Sequence, residues 1–164
     1  MAELTVLGIG NILMRDEGVG VRVMERARDA RDWPAEVEFI DGGAGGLNLL
    51  NVLEAAERLI VFDSAEMKLK PGEHRIVAPR QVCDEPAEHR ASLHDVPFME
   101  TLTLCGRFLH RPEDVKIFAI QPAVVDYGRE LSDELKAAMP AIVAAAVELV
   151  AAEAEAFDEP GDRR

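Results

Sequence analysis

The sequence predicts an α/β fold, a three-layer α/β/α sandwich with a five-stranded, mostly parallel sheet whose fourth strand runs antiparallel. Three observations lead there. Short apolar runs of strand length alternate with stretches of helical periodicity. Three of those runs lead into acids: Asp16-Glu17 after the first, Asp41 after the second and Asp63 after the third. The link after the third run is shorter than the dozen or more residues that a parallel return requires.

The first strand is predicted over about 4–9, Leu-Thr-Val-Leu-Gly-Ile. A helix follows from near Asp16 to near Ala30, with Val19, Val23 and Ala27 on one stripe, and Asp32-Trp33-Pro34 breaks it. The second strand is 36–40. Leu47, Leu50, Val52 and Leu53 make an amphipathic helix over about 45–56, and the third strand is 58–63. Residues 64–72 end in Pro71-Gly72, so the strand at 73–78 is expected to run against the others. A loop holding Pro79 and Pro86 enters a helix over about 92–106, with Ser92 as its N-cap. Residues 115–120 are apolar throughout, as a buried parallel strand is. The Ala-rich stretch 130–155 is a long helix that Pro140 is expected to kink or split. Residues 1–157 form one domain and 158–164 a frayed tail.

The 164 residues carry a net charge of −13, which works against binding nucleic-acid phosphates or anionic lipid. The balance suits a metal cation or a partner with a basic segment. The longest apolar run, 137–147, contains Pro140 and falls short of the ~20 residues a bilayer span needs. Met1-Ala2-Glu3 lacks the charged region of a signal peptide, and Cys83 and Cys105 build no disulfide framework. A cytoplasmic protein, monomeric and with reduced thiols, is the expectation.

If the first three strands are parallel, their acids share the sheet edge where open α/β sheets bind ligands. Carboxylates gathered there repel unless a cation or shared protons hold them. Gly8-Ile9-Gly10 hints at a dinucleotide turn, with Asp41 imitating the ribose-binding acid. Leu13, however, stands where the fingerprint needs its third glycine, and its bulk is expected to block close helix–strand packing. Asp16 and Glu17 diverge by about 100° on a helix, so only one can face the crevice; both also suit a helix start. Asp63 is poorly explained as a cap, since no long helix fits before Pro71. Asp41 before Gly42-Gly43 equally suits an Asx turn. Among the histidines, His74 and His110 read as packing or surface residues and His89 as a loop residue. His94, at a helix start, can be carried back to the crevice by the preceding loop.

At Gly8-x-Gly10-Asn11-x-Leu13-x-x-Asp16-Glu17-Gly18-x-Gly20 the chain resembles the hydrogenase maturation endopeptidases. Asp41-Gly42-Gly43 with Gly45, then Ile60-Val61-Phe62-Asp63, then Ser92-x-His94, agree in order, so the likeness spans about residues 4–150. Phe62-Asp63-Ser64 stands where members often have Val-Asp-Ala, a departure that keeps the acid. The resemblance implies a metal-dependent endopeptidase, a hydrolase that trims the C-terminal extension from the nickel-iron hydrogenase large-subunit precursor after nickel insertion. It implies Glu17, Asp63 and His94 as the metal-contacting residues. The nickel is then carried by the precursor; on chemical grounds Glu17 or Asp63 is alternatively the base, with Asp41 as the residue that orients it. A non-catalytic nickel-binding chaperone on the same scaffold is the alternative, and a nucleotide-binding module a more distant one.

Overall fold

In a computed structural model, which describes residues 2–79 and 96–156, the elements follow the expected order. They are β1 (Leu4–Gly8), α1 (Val19–Asp29), β2 (Val37–Asp41), α2 (Leu50–Ala55), β3 (Arg58–Ser64), β4 (His74–Val77), α3 (Val96–Phe108), β5 (Asp114–Ile120) and α4 (Asp133–Glu155). Short 3-10 turns at Arg15–Gly18 and Leu47–Leu49 precede α1 and α2. The sheet order is β2-β1-β3-β5-β4, with β4 antiparallel to β5 and every other pair parallel.

The pleat sorts the core into two layers, because successive strand residues face opposite sides. Leu4, Val6, Ile60, Phe62, Phe118 and Ile120 pack with α1 and α4. Leu7, Ile9, Leu59, Val61, Ile117 and Ala119 pack with Leu49, Leu53, Leu102 and Cys105 on the α2 and α3 side. All five residues of β1 are buried, as a central parallel strand requires.

The short link after β3 has the predicted consequence: β4 pairs antiparallel at the edge, beside β5. Buried Gln121, just past β5, shapes that link. Its Oε1 accepts from the N–H groups of Met67 (2.7 Å) and Leu69 (3.2 Å), and its Nε2 donates to Glu66 (3.0 Å). His74 stacks on Phe118 with ring centroids 4.5 Å apart, and burial holds its imidazole below the ordinary histidine range. It is a packing residue.

Two expectations change. Pro140 does not split the last helix: α4 runs from Asp133 to Glu155 as one element, opened by Ser132, whose hydroxyl accepts from the Leu135 N–H. The packing of Leu135, Met139, Ile142, Ala146 and Val150 against the sheet outweighs the one backbone bond that proline removes. Leu13 does not wedge between strand and helix but is half exposed. The close approach is made by Gly20 instead, where an added Cβ would overlap the carbonyl oxygens of Phe62 and Ile9. The predicted N-cap Ser92 and the predicted tail 158–164 lie outside the described residues.

The end of the sheet opposite the acids is tied by ions. Glu153 of α4 pairs with Arg58 of β3 and with Lys116 of β5 (2.5 Å), and Arg58 also donates to the Glu153 carbonyl (3.0 Å). Replacing Glu153 with Ala takes the shared acid from both cations and leaves them Asp114, which lies 3.7 Å from Arg58 and 3.4 Å from Lys116. It is expected to cost about 1 kcal/mol, read as a lower urea midpoint at unchanged slope.

Candidate functional site

The site lies at the C-terminal edge of β2, β1 and β3. Gly8, the last residue of β1, is level with Asp41 on one side and Phe62 on the other, so Asp63 stands one step farther out. The three acid-bearing segments therefore share one edge, as the parallel reading predicts. Backbone bonds weld it: the Ile9 N–H donates to the Phe62 carbonyl (2.9 Å), Gly42 N–H to Gly8 (2.8 Å) and Gly10 N–H to Gly43 (2.8 Å).

Glu17 is set over the end of β1. Its carbonyl lies against Gly10, where φ is +140° and a Cβ would collide with it. Glycine is required there on both counts. The turn carrying Glu17 also packs against the end of β3. Glu17 is half-buried and Asp63 is 3% exposed, with its Oδ1 accepting from the Ser64 N–H at 2.8 Å. Glu17 and Asp63 thus occupy adjoining points of the edge.

Asp41 sits differently. It lies two strands from Asp63, about 10 Å away at the usual interstrand spacing. In β2, Phe39 packs toward α1 and α4 while Ile40 packs toward the other face, so alternation turns Asp41 toward the α1 side. By the same count Asp63 follows Leu59 and Val61 to the α2 and α3 side. Asp41 is exposed, and its Oδ1 accepts from the Gly43 N–H at 2.8 Å. The Asx turn is what it makes, and the structure does not bring it together with Asp63.

Asp16 and Glu17 separate as their spacing requires. Asp16 is wholly buried and turned into the protein, where four donors from the segment after β5 surround its carboxylate. Sequence reasoning weighed Asp16 as a crevice-facing acid or a helix-start acid, and its carboxylate serves as neither. Its partners, Ala123, Val124 and Ser132, are mostly backbone amides more than 100 residues away, and no pattern of side chains announces them.

His94 lies outside the described residues. Among those described, no three His, Cys, Asp or Glu side chains are grouped closely enough to hold a metal. Glu17 and Asp63 supply two carboxylates at the edge from which α3 departs on the Asp63 side. Two hard oxygen donors suit a divalent ion, and a third ligand from another element would complete a partial set with positions left open.

Comparison with known proteins bears on what such an edge does. The family described as hydrogenase maturation protease matches residues 21–149. The hydrogenase expression/formation protein HupD of Rhizobium leguminosarum bv. viciae is 35% identical over 149 residues, covering 90% of this chain and 74% of that protein. HoxM of Cupriavidus necator is 36% identical over 137 residues, covering 83% and 68%. The hydrogenase maturating endopeptidase HybD from E. coli superposes with a TM-score of 0.71 at 26% identity, covering 93% of this chain and 94% of that one.

Proposed function

The chain belongs to the hydrogenase maturation protease family, and from that premise we propose that it is an endopeptidase that removes the C-terminal extension of a nickel-loaded nickel-iron hydrogenase large-subunit precursor. In this reading the nickel is part of the substrate. Glu17, Asp63 and His94 are the residues that meet it, so that the loaded precursor is recognised and the unloaded one passed over. Two carboxylates and an imidazole match the preferences of a divalent borderline ion.

Amide hydrolysis needs an activated water and a polarised carbonyl. A carboxylate within hydrogen-bond reach of the water serves as general base, and Glu17 and Asp63 are the two candidates at this edge. The nickel of the precursor, met by these residues, would supply Lewis-acid polarisation. Asp41 holds the Gly42-Gly43 turn, which is bonded to Gly8 and Gly10, and so braces the end of β1 beneath Glu17. Buried Cys105 is a free thiol, which suits action in a reducing cytoplasm, and we assign the enzyme there as a monomer.

The observation that carries the proposal is the family match together with the two acids at one sheet edge. The test is to incubate the purified protein with nickel-loaded and with nickel-free precursor and to follow the C-terminal fragment by mass spectrometry. Cleavage of the loaded form alone is expected. Equal cleavage of both removes nickel recognition from the proposal, and cleavage of neither removes the activity.

A further inference from the structure

We infer that Asp16 is a positioning residue, which holds Glu17 and the 122–132 segment in fixed relation at the edge where cleavage is proposed. The inference rests on the processing reaction proposed above.

The geometry is specific. The Asp16 side chain is 0% exposed. Its Oδ2 accepts from the N–H groups of Ala123 (2.9 Å) and Val124 (2.8 Å) and from the Ser132 hydroxyl (2.7 Å). Its Oδ1 accepts from the Ser132 N–H (2.7 Å). Three donors thus converge on Oδ2 and one on Oδ1, so both oxygens of the carboxylate are engaged. Its main chain joins the same segment, the Asp16 N–H donating to the Val124 carbonyl at 3.1 Å. The neighbours add more stitches. Arg15 N–H donates to Gly128 (2.9 Å), Gly128 N–H to Leu13 (2.9 Å), and Arg15 Nε to the Glu130 carbonyl (3.2 Å).

Glu17 follows directly in the same 3-10 turn, where successive residues point about 120° apart. Turning Asp16 fully inward fixes the direction in which Glu17 leaves the backbone. A buried ion is weak support for stability, since apolar residues of similar volume serve as well or better. What a fully bonded carboxylate adds is a single allowed arrangement of the groups around it. Asparagine cannot substitute, because its NH2 would meet a backbone N–H or the Ser132 hydroxyl where the carboxylate accepts.

The test uses the full chain with nickel-loaded precursor, comparing wild type, Asp16→Asn and Ser132→Ala at a temperature well below each melting point. Asp16→Asn is expected to lower kcat by about a hundredfold, the loss a displacement near 1 Å causes, with KM within about threefold. Ser132→Ala removes one donor and leaves the carboxylate, so about a fivefold loss in kcat is expected. If Asp16→Asn folds and melts lower while kcat stays within about threefold of wild type, Asp16 only anchors the fold and the inference is overturned. If Asp16→Asn does not fold, Ser132→Ala decides: a kcat loss at constant KM supports positioning, and an unchanged kcat overturns it. Should wild type itself leave the loaded precursor uncut, the processing assignment fails and takes this inference with it. Cleavage by both wild type and Asp16→Asn at equal rates defeats the inference alone.

Discussion

Replacing Asp63 with Asn is expected to slow cleavage of the nickel-loaded precursor by about 10³-fold, within the range that general acid–base groups contribute. The substitution removes a negative charge and a basic site and keeps the size and shape of the side chain. Asp63 is 3% exposed at the end of β3, and the oxygen that accepts from the Ser64 N–H has a counterpart in the asparagine carbonyl. For this isosteric exchange the melting temperature is expected to move by no more than about 3 °C, the shift that roughly 1 kcal/mol produces in a chain of this length. A fall in rate without a fall in stability distinguishes a reacting group from a structural one. Glu17→Gln is expected to behave alike, since Glu17 stands beside Asp63 on the same edge. Retention of more than a tenth of the wild-type rate in either variant would remove that residue from the site. The readout is single-turnover processing, which isolates the chemical step from precursor binding.

The second large effect belongs to Gly20. An Ala there would press its methyl into the carbonyl oxygens of Phe62 and Ile9, both main-chain atoms of the welded sheet end. Neither can swing aside as a side-chain tip could, so the start of α1 must lift from the sheet. We expect Gly20→Ala to destabilise by about 3 kcal/mol, the upper part of the usual range for overpacking. The melting temperature should then fall by roughly 6–12 °C. Processing should fall as well, because the lifted segment carries Glu17. Gly106 in α3 is the control: an added Cβ meets nothing within 4 Å, so Gly106→Ala is expected to be neutral or to stabilise by up to about 1 kcal/mol. Calorimetric melting of the two variants beside wild type checks both. A Gly20→Ala melting point within about 2 °C of wild type would show that helix and strand do not meet as closely as described.

Gly20 also shows where reading a glycine pattern along the chain goes astray. Leu13 occupies the place of the third glycine in a dinucleotide turn and suggests a helix held away from its strand. The chain instead runs farther before turning, through the 3-10 turn at Arg15–Gly18, and delivers Gly20 to the contact. A motif specifies which residue can make a close approach. The path of the loop decides which one does.

Other parts of the fold were legible because their causes are local. The five strands and the direction of β4 follow from short apolar runs and from a nine-residue link too short for a parallel crossover. The common edge of Glu17, Asp41 and Asp63 follows once three strands are parallel. The split expected at Pro140 does not occur because a local penalty is set against tertiary packing along the whole of α4, and the packing is larger.

By itself, then, the amino-acid order determined the architecture, the edge on which the acids gather and the family likeness, all of which depend on periodicity, link length and contiguous motifs. Only the tertiary structure decided how the acids divide their work. It turned Asp16 inward to backbone amides over 100 residues distant, gave Asp41 to a local turn on the other face from Asp63, and made Gln121 the brace of the link after β3. The physical reason is that every residue type carries the same N–H and C=O groups. A side chain whose partners are main-chain amides leaves no trace of them in the sequence, and its role emerges only when the folded backbone brings those amides to it.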